Sequence, residues 1–228
     1  MRDRPTAPVA RAARSPASAS LDLVCCRADG RQLAVLVREA ERGTPPTLPW
    51  AALEAAAVLD TAAARFAREQ LGRAPSWMEQ VAAIGDGRKH PSAASLSVAF
   101  VAVVPMGTPA PEGMGWVGVG ALPALPARQV AMVSTAVAAL RDRMDLAPIA
   151  FRMLPAEFTL SELQLVYELL LGRRLHKASF RRALQAAYLV EPTDAWRSEG
   201  RGRPAQLFRY APRKRRGLRR SVRFELLG

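Results

Sequence analysis

The segment from Leu154 to Pro212 leaves the least freedom of any part of this chain. Thr159-Leu160-Ser161-Glu162 is a capping box, in which the threonine hydroxyl takes the amide at the third helical position and the glutamate reaches back to the threonine amide. The helix it opens carries Leu160, Leu163, Val166, Tyr167 and Leu170 on one face, and Gly172 stops it. A short connection, Arg173-Arg174-Leu175-His176, leads into a second helix from Lys177 to Ala187, with Phe180, Leu184 and Tyr188 expected to face inward. Its other face shows Lys177, Ser179, Arg181, Arg182 and Gln185, all donors, with no acid among them. The apolar runs Leu189-Val190 and Leu207 to Tyr210 then bracket Glu199-Gly200-Arg201-Gly202-Arg203-Pro204. Glycines let a loop approach another backbone closely and the arginines supply charge, as a wing on DNA requires. The pattern is a winged helix-turn-helix. Lys177, Ser179, Arg181 and Arg182 are expected in the major groove of double-stranded DNA, with Arg201 and Arg203 at the minor groove or the phosphates.

Charge agrees with that reading. The chain carries a formal +13, and residues 153–228 hold 16 Lys and Arg against 7 Asp and Glu, compared with 17 against 13 in residues 1–152. Such asymmetry is the footprint of a polyanion-binding module, since each cation that neutralises a phosphate releases a condensed counterion. Only three of the 33 basic residues are lysines, so arginine is the ordinary basic residue here and a single arginine carries little weight. Cys25 and Cys26 are adjacent in an apolar run, where a disulfide between neighbours is geometrically awkward, which fits a reducing cytoplasm. No apolar run approaches the roughly 20 residues of a membrane helix, and Met1 to Ser20 lacks the apolar core of a secretion signal.

Upstream, Leu21 to Cys26 and Leu33 to Val37 flank the turn signal Ala28-Asp29-Gly30-Arg31 and read as a hairpin. Leu53 to Leu71 reads as an alanine-rich helix with Asp60 as its N-cap and Gly72 as its stop. After the loop Gly85-Asp86-Gly87-Arg88 comes Leu96 to Val104, an apolar run suited to a buried central strand, and a short strand near Trp116 to Val119. Val130, Val133, Val137, Leu140 and Met144 form a single helical stripe, which suits either a core or a seam between two subunits. His90 and His176 have no ligand constellation and are expected as ordinary surface residues. The organisation expected is a disordered arm at 1–19, an effector or dimerisation domain at 20–148, a DNA-binding domain at 149–212 and a basic tail at 213–228.

The string from Phe158 through Gln164, the downstream Ser179-Phe180-Arg181-Arg182, and Gly202 to Tyr210 resemble the C-terminal domain of Nudix-related transcriptional regulators of the NrtR type. Ala147 to Pro155 resembles that family's interdomain link, and Gly85 to Arg88 with Ser97 to Pro105 resembles its central sheet. The resemblance implies an α/β (α+β) Nudix-like sandwich followed by a winged helix. It further implies a homodimer on a palindromic operator, no required cofactor, and a nucleotide effector such as ADP-ribose that controls genes of NAD or sugar metabolism. The Nudix signature, G-x5-E-x7-R-E-U-x-E-E-x-G-U, places Ala51 at its first glycine, Ala57 and Phe66 at glutamate positions, and Glu69 and Gln70 at the glutamate pair when anchored on Arg65 and Gly72. A hydrolase needs a carboxylate cluster to hold Mg²⁺ against a pyrophosphate, and a lone Glu69 does not supply one. Arg38, Arg65, Glu69 and Asp86 are the residues expected at a ligand, with solvated helix pairing for Glu69, a strand-end charge for Arg38 and a turn-forming Asp86 as the plain alternatives. Pro49-Trp50-Ala51 replaces the family's Pro-Gly-Gly, which sets an indole at the pocket. The rival functions are a divergent Nudix hydrolase with an accessory basic domain, and a constitutive DNA-binding dimer without effector.

Overall fold

The computed structural model describes residues 18–41, 43–54, 57–144, 147–198 and 204–211. Strand β1 (Ala19–Asp29) is the axis of the N-terminal half. It runs parallel to β5 (Leu96–Val103) on one side, and β5 pairs outward with β4 (Trp77–Ile84). On its other side β1 is shared: its first residues, Ser20 to Asp22, pair with β3 (Trp50–Ala52), and its last, Cys26 to Asp29, pair with β2 (Gln32–Arg38). The order is β4-β5-β1-β2-β6, with β6 (Met114–Gly118) at the far edge. Because β1 is flanked along its whole length, nearly all of it is buried, and a continuous apolar run is what such a central strand needs. The hairpin turn is Gly30-Arg31, tighter than the sequence indicated, and Gly30 takes the left-handed φ of 55° that a glycine tolerates. β1 begins inside the arm expected at 1–19, while residues 1–17 lie outside the described residues.

Alternation along β1 sends Leu21, Leu23 and Cys25 to one face and Val24, Cys26 and Ala28 to the other. Helix α1 (Leu59–Leu71) covers the first face through Ala63, Phe66, Ala67 and Leu71, and Gly72 ends it in the left-handed conformation. This helix is shorter than expected: residues 53 and 54 precede it, Val58 occupies the N-cap, and Asp60 lies in the first turn, where its charge still suits the positive end of the helix. Helix α2 (Ala127–Arg143) covers the second face. Val133, Val137, Leu140 and Met144 of its expected stripe are buried within this same chain, whereas Val130 is 39% exposed. The stripe is therefore core, and Met132 and Ala136 widen it.

The chain then enters the short helix α3 (Ile149–Arg152), β7 (Glu157–Phe158), α4 (Leu160–Leu171), α5 (Lys177–Ala187) and the hairpin β8 (Val190–Arg197) and β9 (Ala205–Tyr210). β7 adds to β9, so the hairpin is a three-stranded sheet of order β7-β9-β8. The apolar interior under α2 continues without a break into that of the winged helix, through Leu140, Ile149, Phe151, Leu163, Phe180 and Leu184. Phe151 is central there, packing against Phe158, Tyr167 and Tyr210 at centroid distances of 5.9, 6.3 and 4.4 Å. Among the described residues no helix is long and apolar enough to cross a membrane.

Candidate nucleic-acid interface and effector cleft

The capping box read from the sequence is present at the start of α4: the Glu162 amide donates to Thr159 Oγ1 at 3.1 Å, and the Thr159 amide donates to Glu162 Oε2 at 2.7 Å. Glu162 does more than cap. Its Oε1 accepts from Arg197 Nη1 at 2.6 Å, tying the base of the wing hairpin to the start of α4. At the other end of α4, Glu168 closes the turn into α5. It accepts from the Leu175 amide at 2.9 Å, from Gln164 Nε2 at 3.0 Å and from Arg174 Nη1 at 3.1 Å. Gln164 also donates to the Leu175 carbonyl at 2.9 Å, so both backbone polar groups of Leu175 are held by α4. Burial alone pushes the Glu168 carboxyl up, but the Leu175 amide, Gln164 and Arg174 outweigh it and hold it below its ordinary range. Helices α4 and α5 are thus clamped as one unit.

Helix α5 buries Phe180 and Leu184, and at about 100° per residue Arg182 points nearly opposite to them. Lys177, Arg181, Arg182 and Gln185 are exposed, Ser179 is half-buried beside His176, and none of the three cations makes an ion pair with another described residue. No acidic side chain stands on this helix to compete with a phosphate. Tyr188 departs from expectation: it is the C-cap, at a left-handed φ of 51°, and its side chain is 44% exposed, because that conformation turns it away from the helix's apolar face. His176 is exposed, as expected. Arg201, Arg203 and the basic run Arg213 to Arg220 lie outside the described residues.

In the N-terminal half, the Nudix-signature positions sit on α1 and before it. A cleft of about 220 Å³ is lined by Leu21, Ala51, Leu53, Glu54, Arg65 and Glu69, among others. Arg65 and Glu69 are there together, 3.9 Å apart and exposed, one helical turn from each other. Arg38 reaches the same helix end by a different route, donating from Nη2 to Gln70 Oε1 at 2.8 Å. Asp86 lines neither this cleft nor the groove on the outer face of α1; it faces Arg128 Nε and Arg88 Nε, each at 3.4 Å. Glu54 is a cleft carboxylate that the signature alignment passes over, since it matches no glutamate position of the motif. Trp50 is not in the cleft. Its register opposite Asp22 sends the indole to the other face of the sheet, edge-on to His90 at 5.5 Å.

Of the signature's glutamate positions, the one that holds a carboxylate in this chain is Glu69. Phe66 is packed into the core, Gln70 is neutral and engaged by Arg38, and Glu69 is paired with Arg65. Among the described residues no group of three or more His, Cys, Asp or Glu is arranged to hold a metal ion.

His90 overturns its expected place on the surface. It is 7% exposed, and its Nε2 lies 2.8 Å from Asp22 Oδ1, while Nδ1 lies 2.7 Å from Ser92 Oγ and accepts from the Ser92 amide. Asp22 also accepts from Gln129 Nε2 at 3.0 Å and from Ser20 Oγ at 2.7 Å. Arg128, 2% exposed, donates to the Ala94 carbonyl and to Ser97 Oγ, which in turn contacts Ser20. This buried polar network sits beneath the N-terminus of α2.

Comparison with known proteins places both halves. Residues 150–210 match the family model of the NrtR DNA-binding winged helix domain. Over 150 residues the chain is 31% identical to the ADPR responsive transcriptional repressor NtrR of Acinetobacter baylyi, an alignment that covers 63% of this chain and 60% of that protein. The crystal structure of Shewanella oneidensis NrtR complexed with a 27mer DNA superposes with a TM-score of 0.71 at 25% identity, over 85% of this chain and 93% of that one. Residues 150–210 are thus similar to the NrtR DNA-binding winged helix domain, and the chain spans 60% of the length of the Acinetobacter relative it matches. The fold is shared more widely: a MutT/nudix family protein of Enterococcus faecalis superposes with a TM-score of 0.66 at 15% identity, over 87% of this chain and 89% of that one. The NrtR-type winged helix is the more strongly matched half, and the domain before it is Nudix-like in fold.

Proposed function

We propose that this chain is a regulator of the NrtR type, a sequence-specific, DNA-binding transcription repressor whose Nudix-like domain senses ADP-ribose or a related nucleotide and no longer hydrolyses it. The observation that carries the reading is the exposed, acid-free face of α5, where Lys177, Arg181 and Arg182 make no ion pair among the described residues, on a helix that Glu168 and Gln164 lock to α4. Lys177, Ser179, Arg181 and Arg182 would read the major groove, and Arg201 and Arg203 the neighbouring minor groove or phosphates. A homodimer would read a palindrome; since the α2 stripe is spent on the chain's own core, its seam lies on another surface. The effector would take the cleft of Arg65 and Glu69, which stays clear of the Trp50 indole. The Acinetobacter relative is named for response to ADP-ribose, and regulation of NAD or sugar metabolism genes follows the family. Free Cys25 and Cys26 go with a cytoplasmic location.

The test is fluorescence anisotropy of the purified chain on duplex DNA from its own upstream region, against scrambled DNA, with ADP-ribose titrated in. Selective binding released by ADP-ribose is the expected result. Selective binding indifferent to it leaves a regulator with another effector or none, and absence of preference over scrambled DNA refutes the regulator. The hydrolase alternative rests on Glu54 standing in the same cleft as Glu69. Mg²⁺-dependent cleavage of ADP-ribose that Glu69→Gln abolishes would establish it.

A further inference from the structure

Two contacts at opposite ends of α2 join the cleft to the recognition helix. At the N-terminal end, Gln129 is fully buried: its Oε1 accepts from the Leu48 amide at 2.9 Å and its Nε2 donates to Asp22. Leu48 is likewise fully buried and stands two residues before β3, whose Ala51 and Ala52, with Leu53 and Glu54 just after, line the cleft. β3 is three residues long and among the described residues pairs only with β1, which makes it the least secured strand of the sheet. Trp50 in the same strand rests on His90, which shares Asp22 with Gln129. A ligand that shifts β3 therefore acts on Leu48 and Trp50, and both lead to the group of side chains that anchors α2.

At the C-terminal end, Arg141 Nε donates to the Leu170 carbonyl of α4 at 2.8 Å, and Arg143 grips Glu79 of β4 through both carboxylate oxygens, keeping that end of α2 against the sheet. Leu170 lies just before Gly172 and the turn that Glu168 and Gln164 clamp to α5. Gln129 and Arg141 are twelve residues apart, or about 18 Å along a rigid rod.

We propose that Gln129 and Arg141 are the positioning residues through which α2 couples occupancy of the Nudix-like cleft to the pose of α5 on DNA. This rests on the regulator reading above and adds the route. Linkage makes the coupling reciprocal, so DNA bound to α5 must alter the cleft.

The test uses that reciprocity and needs no identified effector. Amide hydrogen exchange is followed in the full chain, free and saturated with duplex DNA from its own upstream region, for wild type, Arg141→Ala and Arg141→Lys. Arg141 is exposed, so both variants keep the core, and lysine restores a donor to the Leu170 carbonyl. Expected is a change in exchange over residues 48–54 on DNA binding in wild type, on the order of 5-fold or more. It should be lost in Arg141→Ala at saturating DNA and recovered in Arg141→Lys. No change in wild type despite saturated DNA overturns the coupling, and an unchanged response in Arg141→Ala overturns the route through α2. Absence of DNA binding, read by anisotropy on the same samples, removes the regulator reading and this proposal with it.

Discussion

Replacing Asp22 by alanine tests the buried network most directly. The carboxylate accepts from His90, Gln129 and Ser20, and all of these are enclosed. Ser20 keeps Ser97 as a partner, so two donors are stranded, on His90 Nε2 and Gln129 Nε2, the latter left with only a 3.5 Å approach to the Leu48 carbonyl. A buried polar group left without its partner costs about 1–3 kcal/mol, so the loss should be about 2–6 kcal/mol, a large share of the roughly 5–15 kcal/mol that holds a domain folded. Asp22→Asn is the informative contrast. Its amide oxygen can face His90 and Gln129 and its NH₂ can donate to the Ser20 hydroxyl, so about 1–2 kcal/mol should be lost. Urea unfolding followed by tryptophan fluorescence would report both, with the midpoint moving and the slope unchanged. An alanine variant within about 1 kcal/mol of wild type, or an asparagine variant as damaged as alanine, would refute this account of the network.

Arg182→Ala should leave stability within about 0.5 kcal/mol, because the side chain is exposed and makes no ion pair among the described residues, yet weaken binding to the operator by about 1–3 kcal/mol with scrambled DNA unaffected. Equal weakening on both DNAs, with the salt slope reduced by about 0.9, would make it a phosphate contact instead. For Glu168, whose carboxyl is held below its ordinary range in the fold, the stabilisation is full above the unfolded value of about 4.3 and is lost as pH falls through the lowered folded value. Acid titration of the Leu175 amide exchange rate should show the turn loosening in that window in wild type and no such step in Glu168→Gln. Burial raises the Cys25 thiol well above its ordinary range and pushes Cys26 up to about 12. A thiol reagent at neutral pH should modify neither in the folded chain and both after unfolding; fast labelling of the native protein would contradict their burial.

The parts of this molecule that were legible in the amino-acid order are those whose deciding contacts are close in the chain. Thr159 and Glu162 cap each other three residues apart, Gly172 ends its helix, and the apolar period of α4 and α5 leaves Arg182 facing outward whatever else surrounds it. β1, β2 and β5 were legible for a similar reason, as apolar runs with turn signals between them. β4 was not, because its half-buried residues show no clean alternation, and the start of α1 was misplaced because alanines favour helix up to the point where β3 needs an extended chain. Tertiary structure alone decided the rest. His90 finds Asp22 across 68 positions and Gln129 finds it across 107, so an unremarkable surface histidine becomes a core residue only when β1, the loop before β5 and α2 meet. The same long-range pairing turns Trp50 away from the cleft and leaves Ala51 lining it, because which face of a sheet a residue occupies is set by strand register, and register depends on partners that local sequence does not name.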